Sequence, residues 1–309
     1  MYTIKLNQLD GLFFCEGLNS DIIRIESSRL EEYISYINQN KINKLNITDQ
    51  IGNIKLYELP DLYFLVQCPN IEELNIQSNR IENYTGIYNL SKLLTLSIDD
   101  PLNKIDLLLL PSLQTLRASY NENLQDFTKC EKLKELLLIG YRVKIANLSH
   151  FQSLSNIETL TLTQTNLQNL SGIKNLTKLK YIELNYNRSL LDISELAECK
   201  NLEKIQMSNC KKIHNLTQTL ENIPTLKKII LSDCGEIQNL EFVKKLPNLK
   251  FISFVGTKVI SGDLNPIVGL EYAGFDNKKH YNYRNEQINP EFAKRAKESL
   301  KNAWKNANK

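Results

Sequence analysis

The chain has 309 residues, with 38 Lys and Arg against 35 Asp and Glu, and its formal net charge is +3. Residues 278–309 hold nine basic and three acidic side chains, so the preceding residues carry a net charge of −3 (29 basic minus 32 acidic). A slightly acidic body lacks the basic stripe of a nucleic-acid-binding protein. No apolar run approaches the roughly 18 residues of a membrane span.

Residues 1–41 are predicted to form an N-terminal cap. They contain no basic segment followed by an apolar run, so we expect no secretory signal and a cytoplasmic location. The segment Ile22–Ile25 is predicted to form a short strand. A helix is predicted from Ser28 to about Asn38, because apolar residues recur there at a spacing of three or four. These residues are Leu30, Tyr33, Ile34 and Ile37.

Residues 42–276 repeat the pattern Leu-x-x-Leu-x-Leu. Clear copies read IEELNIQSN, LKYIELNYN, LEKIQMSNC and LKKIILSDC. After a first gap of 29 residues the copies are 20 to 24 residues apart, and this period with this motif is typical of leucine-rich repeats. The eleven repeats begin at Ile42, Ile71, Leu93, Leu113, Leu133, Ile157, Leu179, Leu202, Leu226, Leu249 and Leu270.

Each repeat is predicted to contribute one short parallel strand, with leucines pointing inward and the intervening residues pointing outward. The predicted fold is an α/β solenoid, a leucine-rich-repeat horseshoe with a parallel concave sheet, about eleven repeats, and N- and C-terminal caps. The long first gap, around LYELPDLYFLVQCPN, is predicted to contain a short helix on the convex side.

The turn after each strand is predicted to hold a residue whose short side chain bonds to nearby backbone groups. The residues at this position are Asn79, Asn121, Thr165, Asn187, Cys210, Cys234 and Thr257. Pro101 and Tyr141 interrupt the series, so we expect irregular turns in those two repeats.

The other cysteines are predicted to be structural. Cys68, Cys130 and Cys199 lie three residues before a repeat begins, where other repeats have leucine, so we expect small buried side chains. Cys15 has no repeat position, and no Cys-x-x-Cys pair exists. With a cytoplasmic location, neither disulfides nor a metal or redox site is expected.

Residues 277–309 are predicted to close the other end of the repeats. The pair Asn289–Pro290 is a good helix start, with Asn as N-cap and Pro at the first position. We interpret the following segment as a capping helix, and the alternative is a partner-binding or membrane-surface helix. The apolar stripe of this helix would be Phe292, Ala296, Leu300, Ala303 and Trp304, with Lys294, Lys297, Lys301 and Lys305 largely off it.

No arrangement of residues indicates catalysis, and no cofactor or metal is expected. His150 and His214 fall in variable loops, and no Ser/Cys–His–acid set or glycine-rich phosphate loop is present. His280 lies in DNKKHYNYR, which we interpret as a loop that joins the last repeat to the capping helix, with Tyr281 and Tyr283 packing beneath it. The alternative is a contact loop at the rim.

The outward strand positions hold large apolar and aromatic side chains among charges of both signs. Such a mixture on a solvent-facing surface is typical of a protein-binding face, although it could also reflect strand propensity alone. The positions predicted to bind a partner are Arg117, Glu135, Ile139, Tyr181, Glu183, Lys204, Lys228, Ile230, Phe251, Val255 and Tyr272.

The repeat LSGIKNLTKLKYIELNYN resembles the repeats of about 22 residues in bacterial internalin-like proteins and in phosphatase-regulating proteins of the Sds22 type. Repeats ending in SNC and SDC resemble the cysteine-containing subtype. The ending from GDL to DNKKHYNYR resembles cytosolic bacterial repeat proteins of polymorphic-toxin loci, which implies an immunity protein.

The resulting hypothesis is a cytosolic immunity protein that binds and inhibits one protein partner, a toxin, through its concave face and is monomeric when free. Tyr181, Phe251 and Tyr272 would be the anchors. No nucleic acid or membrane is expected as a partner. The alternatives are an adhesin or effector that binds a host protein, and a regulatory subunit of an endogenous enzyme such as a phosphatase.

Overall fold

The computed structural model describes residues 11–15, 21–291, 294–295 and 298–299. The chain divides into two compact units, which are Met1–Arg142 with His150–Leu160, and Val143–Ser149 with Thr161–Lys309. In both units successive repeats each contribute one short strand to a parallel ladder, so the predicted leucine-rich-repeat fold is confirmed.

The first unit begins with the predicted strand and helix. Strand β1 (Phe13–Phe14) pairs antiparallel with β2 (Ile23–Arg24), and α1 spans Leu30–Gln39. Tyr33, Ile34 and Ile37 on α1 are buried, as their spacing predicts. Strand β2 then pairs in parallel with β3 (Lys44–Thr48), so β1 and β2 extend the sheet by two strands.

The insertion after β3 contains a hairpin that we did not predict, ahead of the short helix that we did predict. Strands β4 (Gln50–Ile51) and β5 (Ile54–Lys55) pair antiparallel around Gly52, whose φ of 58° suits a tight turn. A 3₁₀ helix does follow at Tyr63–Gln67, but most later repeats have one at the same point. The extra length of the first repeat is therefore in the hairpin.

The remaining strands of the first unit are in register with β3. They are β6 (Glu73–Gln77), β7 (Thr95–Ile98), β8 (Thr115–Ser119) and β9 (Glu135–Ile139). Leu116 and Leu136 are register partners that are fully buried, and burying such a side chain stabilises the fold by about 1.5–3 kcal/mol. Four rings extend this core, namely Tyr120, Phe127, Tyr141 and Phe151.

Strand β10 (Thr159–Thr163) lies where the two units meet in sequence. The second unit continues with β11 (Tyr181–Asn185), β12 (Lys204–Ser208), α2 (Leu216–Leu220), β13 (Lys228–Ser232), β14 (Glu236–Ile237), β15 (Phe251–Ser253), β16 (Lys258–Val259), β17 (Tyr272–Gly274) and α3 (Asn285–Ile288). Strands β11, β12, β13, β15 and β17 form a parallel ladder, and β14 pairs with β16 in a separate two-stranded sheet.

Most repeats return through a short 3₁₀ helix. An Asn or Asp side chain begins many of these helices by accepting a hydrogen bond from the backbone N–H two residues later, as Asp192 does from Ser194. The 3₁₀ helices are Ser27–Arg29, Tyr63–Gln67, Thr85–Asn89, Leu107–Leu109, Glu122–Lys129, Ser149–Phe151, Ile173–Asn175, Ser194–Glu198, Glu241–Lys245 and Asn265–Ile267.

The turns at Pro101 and Tyr141 are each preceded by a residue in the left-handed backbone conformation, as the regular turns of the second unit are. The prediction of irregular turns there is therefore wrong. The preceding residues, Asp100 and Gly140, have φ values of 43° and 72°. Asn79 also differs from its prediction, because it is exposed while Ser78 is 3% exposed and donates its hydroxyl to Asp49. The left-handed residues at this position in the second unit are Gln164, Tyr186, Asn209, Asp233 and Gly256.

In the second unit the turn residues form a buried hydrogen-bonded ladder, as predicted. The Asn187 amide donates to the Leu162 carbonyl and accepts from the backbone N–H and hydroxyl of Thr165. The Cys210 thiol donates to the Leu184 carbonyl. The side chains of Asn187, Cys210 and Thr257 thus each reach a carbonyl of the repeat before, which ties successive repeats together.

The predicted burial of the cysteines in the repeats is largely confirmed. All six are free thiols, and Cys68, Cys199, Cys210 and Cys234 are buried. Burial raises the pKa of the Cys68 thiol to about 11, which keeps it protonated and unreactive near neutral pH. Cys130 differs from its prediction, because it is only half-buried.

The segment after β17 covers the last strand and loop of the second unit. The Asn289 amide, 5% exposed, donates to the Ala273 carbonyl and accepts from the Ala273 N–H. Tyr281 accepts a hydrogen bond from the Val259 N–H, and His280 Nε2 lies 2.9 Å from the Val259 carbonyl. These contacts agree with the interpretation of DNKKHYNYR as a closing loop.

The predicted C-terminal helix is only partly described. Pro290, Glu291, Lys294, Arg295, Glu298 and Ser299 are helical. The side chains of the predicted apolar stripe, and Lys297, Lys301 and Lys305, lie outside the described residues. The helix begins at Pro290, as predicted, and the amide of Asn289 just before it binds the edge of β17.

Candidate functional site

Five residues at one register position form a row across the outer face of the second unit. Each is the first residue of its strand, and the pairing joins them in the order Tyr181, Lys204, Lys228, Phe251 and Tyr272. All five are half-buried. Because adjacent strands are about 4.8 Å apart, these side chains lie side by side. We call this set the aromatic–lysine row.

Each lysine of the row lies over an aromatic ring. The Lys204 Nζ is 3.8 Å from the centroid of the Tyr181 ring, and the Lys228 Nζ is 4.1 Å from that of Phe251. The rings of Phe251 and Tyr272 are stacked, with centroids 4.6 Å apart and planes at 21°. Cation–π and stacking contacts of this kind fix the side chains, so the row is preorganised.

The next row holds a carboxylate that the protein itself satisfies. Glu183 accepts hydrogen bonds from the hydroxyl of Tyr181 at 2.6 Å, the amide of Asn185 at 2.9 Å and the amide of Gln206 at 3.0 Å. We predicted Glu183 as a partner contact, and the structure shows that its oxygens already bind three neutral donors. Through the hydrogen bond from the Tyr181 hydroxyl, Glu183 orients the Tyr181 ring.

The same packing shifts the pKa values of Tyr181 and Lys204. Burial raises the pKa of the Tyr181 phenol, and the hydrogen bond and charge of Glu183 raise it further. Burial lowers the pKa of the Lys204 ammonium, the charge of Lys228 lowers it further, and the charge of Glu183 opposes both. The phenol therefore stays neutral and able to donate to Glu183.

Apolar side chains flank the row. Ile230, in the middle of β13, is half-buried beside Ser253 in β15. Val255 lies beyond the end of β15 and is 47% exposed. Gly274 leaves space for the Tyr272 side chain, since a Cβ there would lie 2.9 Å from its Cε1 atom and 2.9 Å from its hydroxyl oxygen. Apolar surface of this kind surrounds the aromatic groups of many interfaces.

The predicted residues in the first unit form a separate set. Arg117 and Glu135 neutralise each other through an ion pair of 2.9 Å. Ile139 is 38% exposed at the end of β9. The roles of these three residues in partner binding remain predictions.

Sequence reasoning did not anticipate the pairing of lysines with rings. We predicted aromatic anchors and separate charged residues, whereas the structure couples Lys204 to Tyr181 and Lys228 to Phe251. The signal is present in the repeat register, because aligning the strands gives the order Tyr, Lys, Lys, Phe, Tyr at one position.

Other kinds of site receive no support from the described residues. Within that part of the chain, no three His, Cys, Asp or Glu side chains are grouped to hold a metal ion. Nor does any helix there have the length and apolar character that crossing a membrane requires. One cavity of about 270 Å³ in the second unit is lined by Arg188, Asn209, Lys211 and Lys212.

Comparison with known proteins shows similarity over part of the chain. No family model matches. Disease resistance protein RPP2A of Arabidopsis thaliana is 31% identical over 102 residues, which are 33% of this chain and 8% of RPP2A. Disease resistance protein RPS4B of the same plant is 27% identical over 105 residues, 34% of this chain and 9% of RPS4B. The chain thus spans less than a tenth of the length of these relatives.

Solved structures share the fold. An internalin of Listeria monocytogenes, inlF, superposes with a TM-score of 0.50 at 17% identity, covering 79% of this chain and 77% of the internalin. A chain of the Toll–Spatzle complex of Drosophila gives a TM-score of 0.56 at 13% identity, covering 78% of this chain and 36% of that one. At such identities the likeness shows the leucine-rich-repeat fold alone.

Proposed function

We propose that this chain is a non-enzymatic protein-binding module and that its second unit binds one protein partner through the aromatic–lysine row. The row is the observation that carries the proposal. The same register position in the first unit holds only polar residues, which are Lys44, Glu73, Thr95, Thr115 and Glu135. The concentration of rings in the second unit is therefore not a property of the repeat itself.

The composition of this face suits protein recognition. Aromatic side chains dominate the binding energy of many interfaces, and they do so best where neighbouring groups exclude water. Here Phe251 and Tyr272 already share one stacked surface, and Ile230 adds apolar area beside them. A partner that covers the row would bury rigid groups whose rotamers are fixed beforehand, which limits the entropy lost on binding.

The test is partner capture from the source cell with the full chain as bait, compared with a triple variant, Tyr181→Ala/Phe251→Ala/Tyr272→Ala. We expect one stoichiometric protein partner, bound at least about 30-fold more weakly by the triple variant, since a loss of about 2 kcal/mol is typical of an interface hot spot. The matched control replaces exposed side chains away from the row, namely Tyr63, Leu109 and Val268. Equal affinities for the two triple variants would refute the proposed face.

A finer proposal concerns the identity of the partner. We propose that it is a toxin that the chain inhibits in the cytosol, on the basis of the resemblance of residues 262–284 to immunity proteins. The test is co-expression of the captured partner with the chain and with the triple variant. Rescue of growth by the native chain alone would support inhibition. A harmless partner enzyme whose activity changes on binding would replace the toxin with the regulatory alternative.

A further inference from the structure

The two lysines of the aromatic–lysine row differ from the lysines around them. Neither Lys204 nor Lys228 forms an ion pair within the described part of the chain, and each ammonium faces a ring. By contrast, other lysines of the second unit face glutamates in the ion pairs Lys227–Glu203 at 2.8 Å, Lys250–Glu271 at 2.8 Å and Lys258–Glu236 at 3.3 Å. Two adjacent cations on this face are therefore left without a carboxylate.

A carboxylate is present close by, but it is used elsewhere. Glu183 occupies the next outward position of β11 and accepts hydrogen bonds from Tyr181, Asn185 and Gln206. Its oxygens are thus bound to neutral donors and form no ion pair with Lys204. The arrangement keeps both ammoniums available to a ligand.

The position of the two lysines is unfavourable in the free protein. Lys204 and Lys228 are direct register partners on neighbouring strands, and like charges placed directly opposite each other destabilise a sheet. The rings of Tyr181 and Phe251 offset part of this repulsion but do not neutralise either charge. An anion bound beside the two ammoniums would offset this repulsion.

We infer that Lys204 and Lys228 together bind one side-chain carboxylate of the protein partner, while an adjacent apolar side chain of the same partner segment packs on Phe251 and Tyr272. This inference rests on the proposed function, since it names the chemistry of the partner at the same face. A carboxylate has two oxygens, one for each ammonium. Such charge-assisted hydrogen bonds are stronger than those between neutral groups.

Charge favours an acidic peptide segment over a nucleic acid. Glu183 lies on the same face, one outward position along β11, so this face carries two cations and one anion, whereas a phosphate backbone is bound by a continuous basic stripe. The row also offers two cations followed by two stacked rings, which matches an acidic residue followed by an apolar one. The lowered pKa of Lys204 agrees with a cation that lacks a counter-ion, because burial and the charge of Lys228 both disfavour its protonated form.

The experiment uses a synthetic probe and the full chain, so it does not depend on finding the partner. The probe is N-acetyl-Glu-(4-fluoro-Phe)-amide, and its matched control has Gln in place of Glu. Binding is measured by titration of the protein while the ¹⁹F relaxation of the probe is recorded. We expect the Glu probe to bind about tenfold or more tightly than the Gln probe, as one hydrogen bond between charged groups would give.

Variants locate the interaction. Lys204→Gln/Lys228→Gln should remove the preference for Glu, whereas Lys204→Arg/Lys228→Arg, which keeps both charges, should retain most of it. Lys211→Gln/Lys212→Gln, at the basic cavity of the second unit, should leave it unchanged. Far-UV circular dichroism and urea midpoints check that each variant is folded.

Three outcomes would overturn the inference. They are equal binding of the two probes, failure of both probes to bind, and loss of the preference in the Lys211/Lys212 variant, which would place the anion in the cavity. A captured partner whose affinity depends on Phe251 and Tyr272 but not on Lys204 and Lys228 would leave the proposed function intact and refute only the carboxylate. If no partner is captured but the Glu probe still binds more tightly than the Gln probe, the proposed function is refuted and the anion site is kept.

Discussion

Replacing Asn187 with alanine tests whether the turn ladder stabilises the second unit. The side chain is 1% exposed, donates to the Leu162 carbonyl at 2.9 Å, and accepts from the Thr165 N–H at 3.0 Å and its hydroxyl at 2.7 Å. Alanine removes these partners from two buried backbone groups. Each buried group left unsatisfied costs about 1–3 kcal/mol, so we expect unfolding to become easier by about 2–6 kcal/mol.

The matched control is Asn201→Ala. The Asn201 amide also donates to a carbonyl of the preceding repeat, that of Thr177, at 2.8 Å, but this side chain is exposed. Water replaces a lost hydrogen bond there, so we expect a loss below about 1 kcal/mol. Urea unfolding followed by far-UV circular dichroism gives the midpoint and slope of each transition. Equal shifts for the two variants would refute the argument that burial gives the ladder its strength.

Three further predictions follow from other contacts. Phe127→Ala should destabilise the first unit by about 3–5 kcal/mol in urea unfolding, because this ring is 1% exposed within the aromatic core. Gly274→Ala should leave the urea midpoint nearly unchanged but weaken partner binding, because the new Cβ displaces the Tyr272 ring. Asp192→Asn should lower the stability at pH 7, and the difference should disappear only as the pH falls from about 4 through the folded pKa of Asp192, because hydrogen bonds, first that from the Ser194 N–H, lower the pKa of Asp192 in the folded state.

The sign of the last prediction follows from linkage. A carboxyl whose folded pKa lies below its unfolded pKa contributes stability above the unfolded value, and the contribution disappears as the pH falls through the folded pKa. A constant difference between the native chain and the Asp192 variant at all pH values would contradict it. A loss below about 1 kcal/mol for Phe127→Ala, or unchanged affinity for Gly274→Ala, would contradict the other two.

Much of the fold could be predicted from the residue pattern. All eleven predicted repeat starts are followed by a strand two residues later, from β3 at Lys44 to β17 at Tyr272. The alternation of leucine with other residues also placed Tyr181 and Phe251 on the outer face. This succeeds because a single repeat cannot bury its own leucines, so the spacing of leucines sets the stacking.

Local exceptions to the repeat could not be predicted from the residue pattern. The hairpin of β4 and β5 uses residues that the repeat does not constrain. In the turn after β6 the buried side chain is that of Ser78 and not that of Asn79, because the backbone path of that one turn decides which side chain reaches the interior. At Pro101 the side chain cannot donate, yet the backbone still follows the regular turn through Asp100.

By itself the sequence determined the number, order and inward faces of the repeats, because those depend on a periodic apolar pattern along the chain. Only the tertiary structure decided which outward side chains act together. Lys204 and Tyr181 are 23 residues apart in sequence but adjacent across two strands. Whether a lysine pairs with a glutamate, as Lys227 does, or lies over a ring depends on distances of a few ångströms that the pattern does not contain.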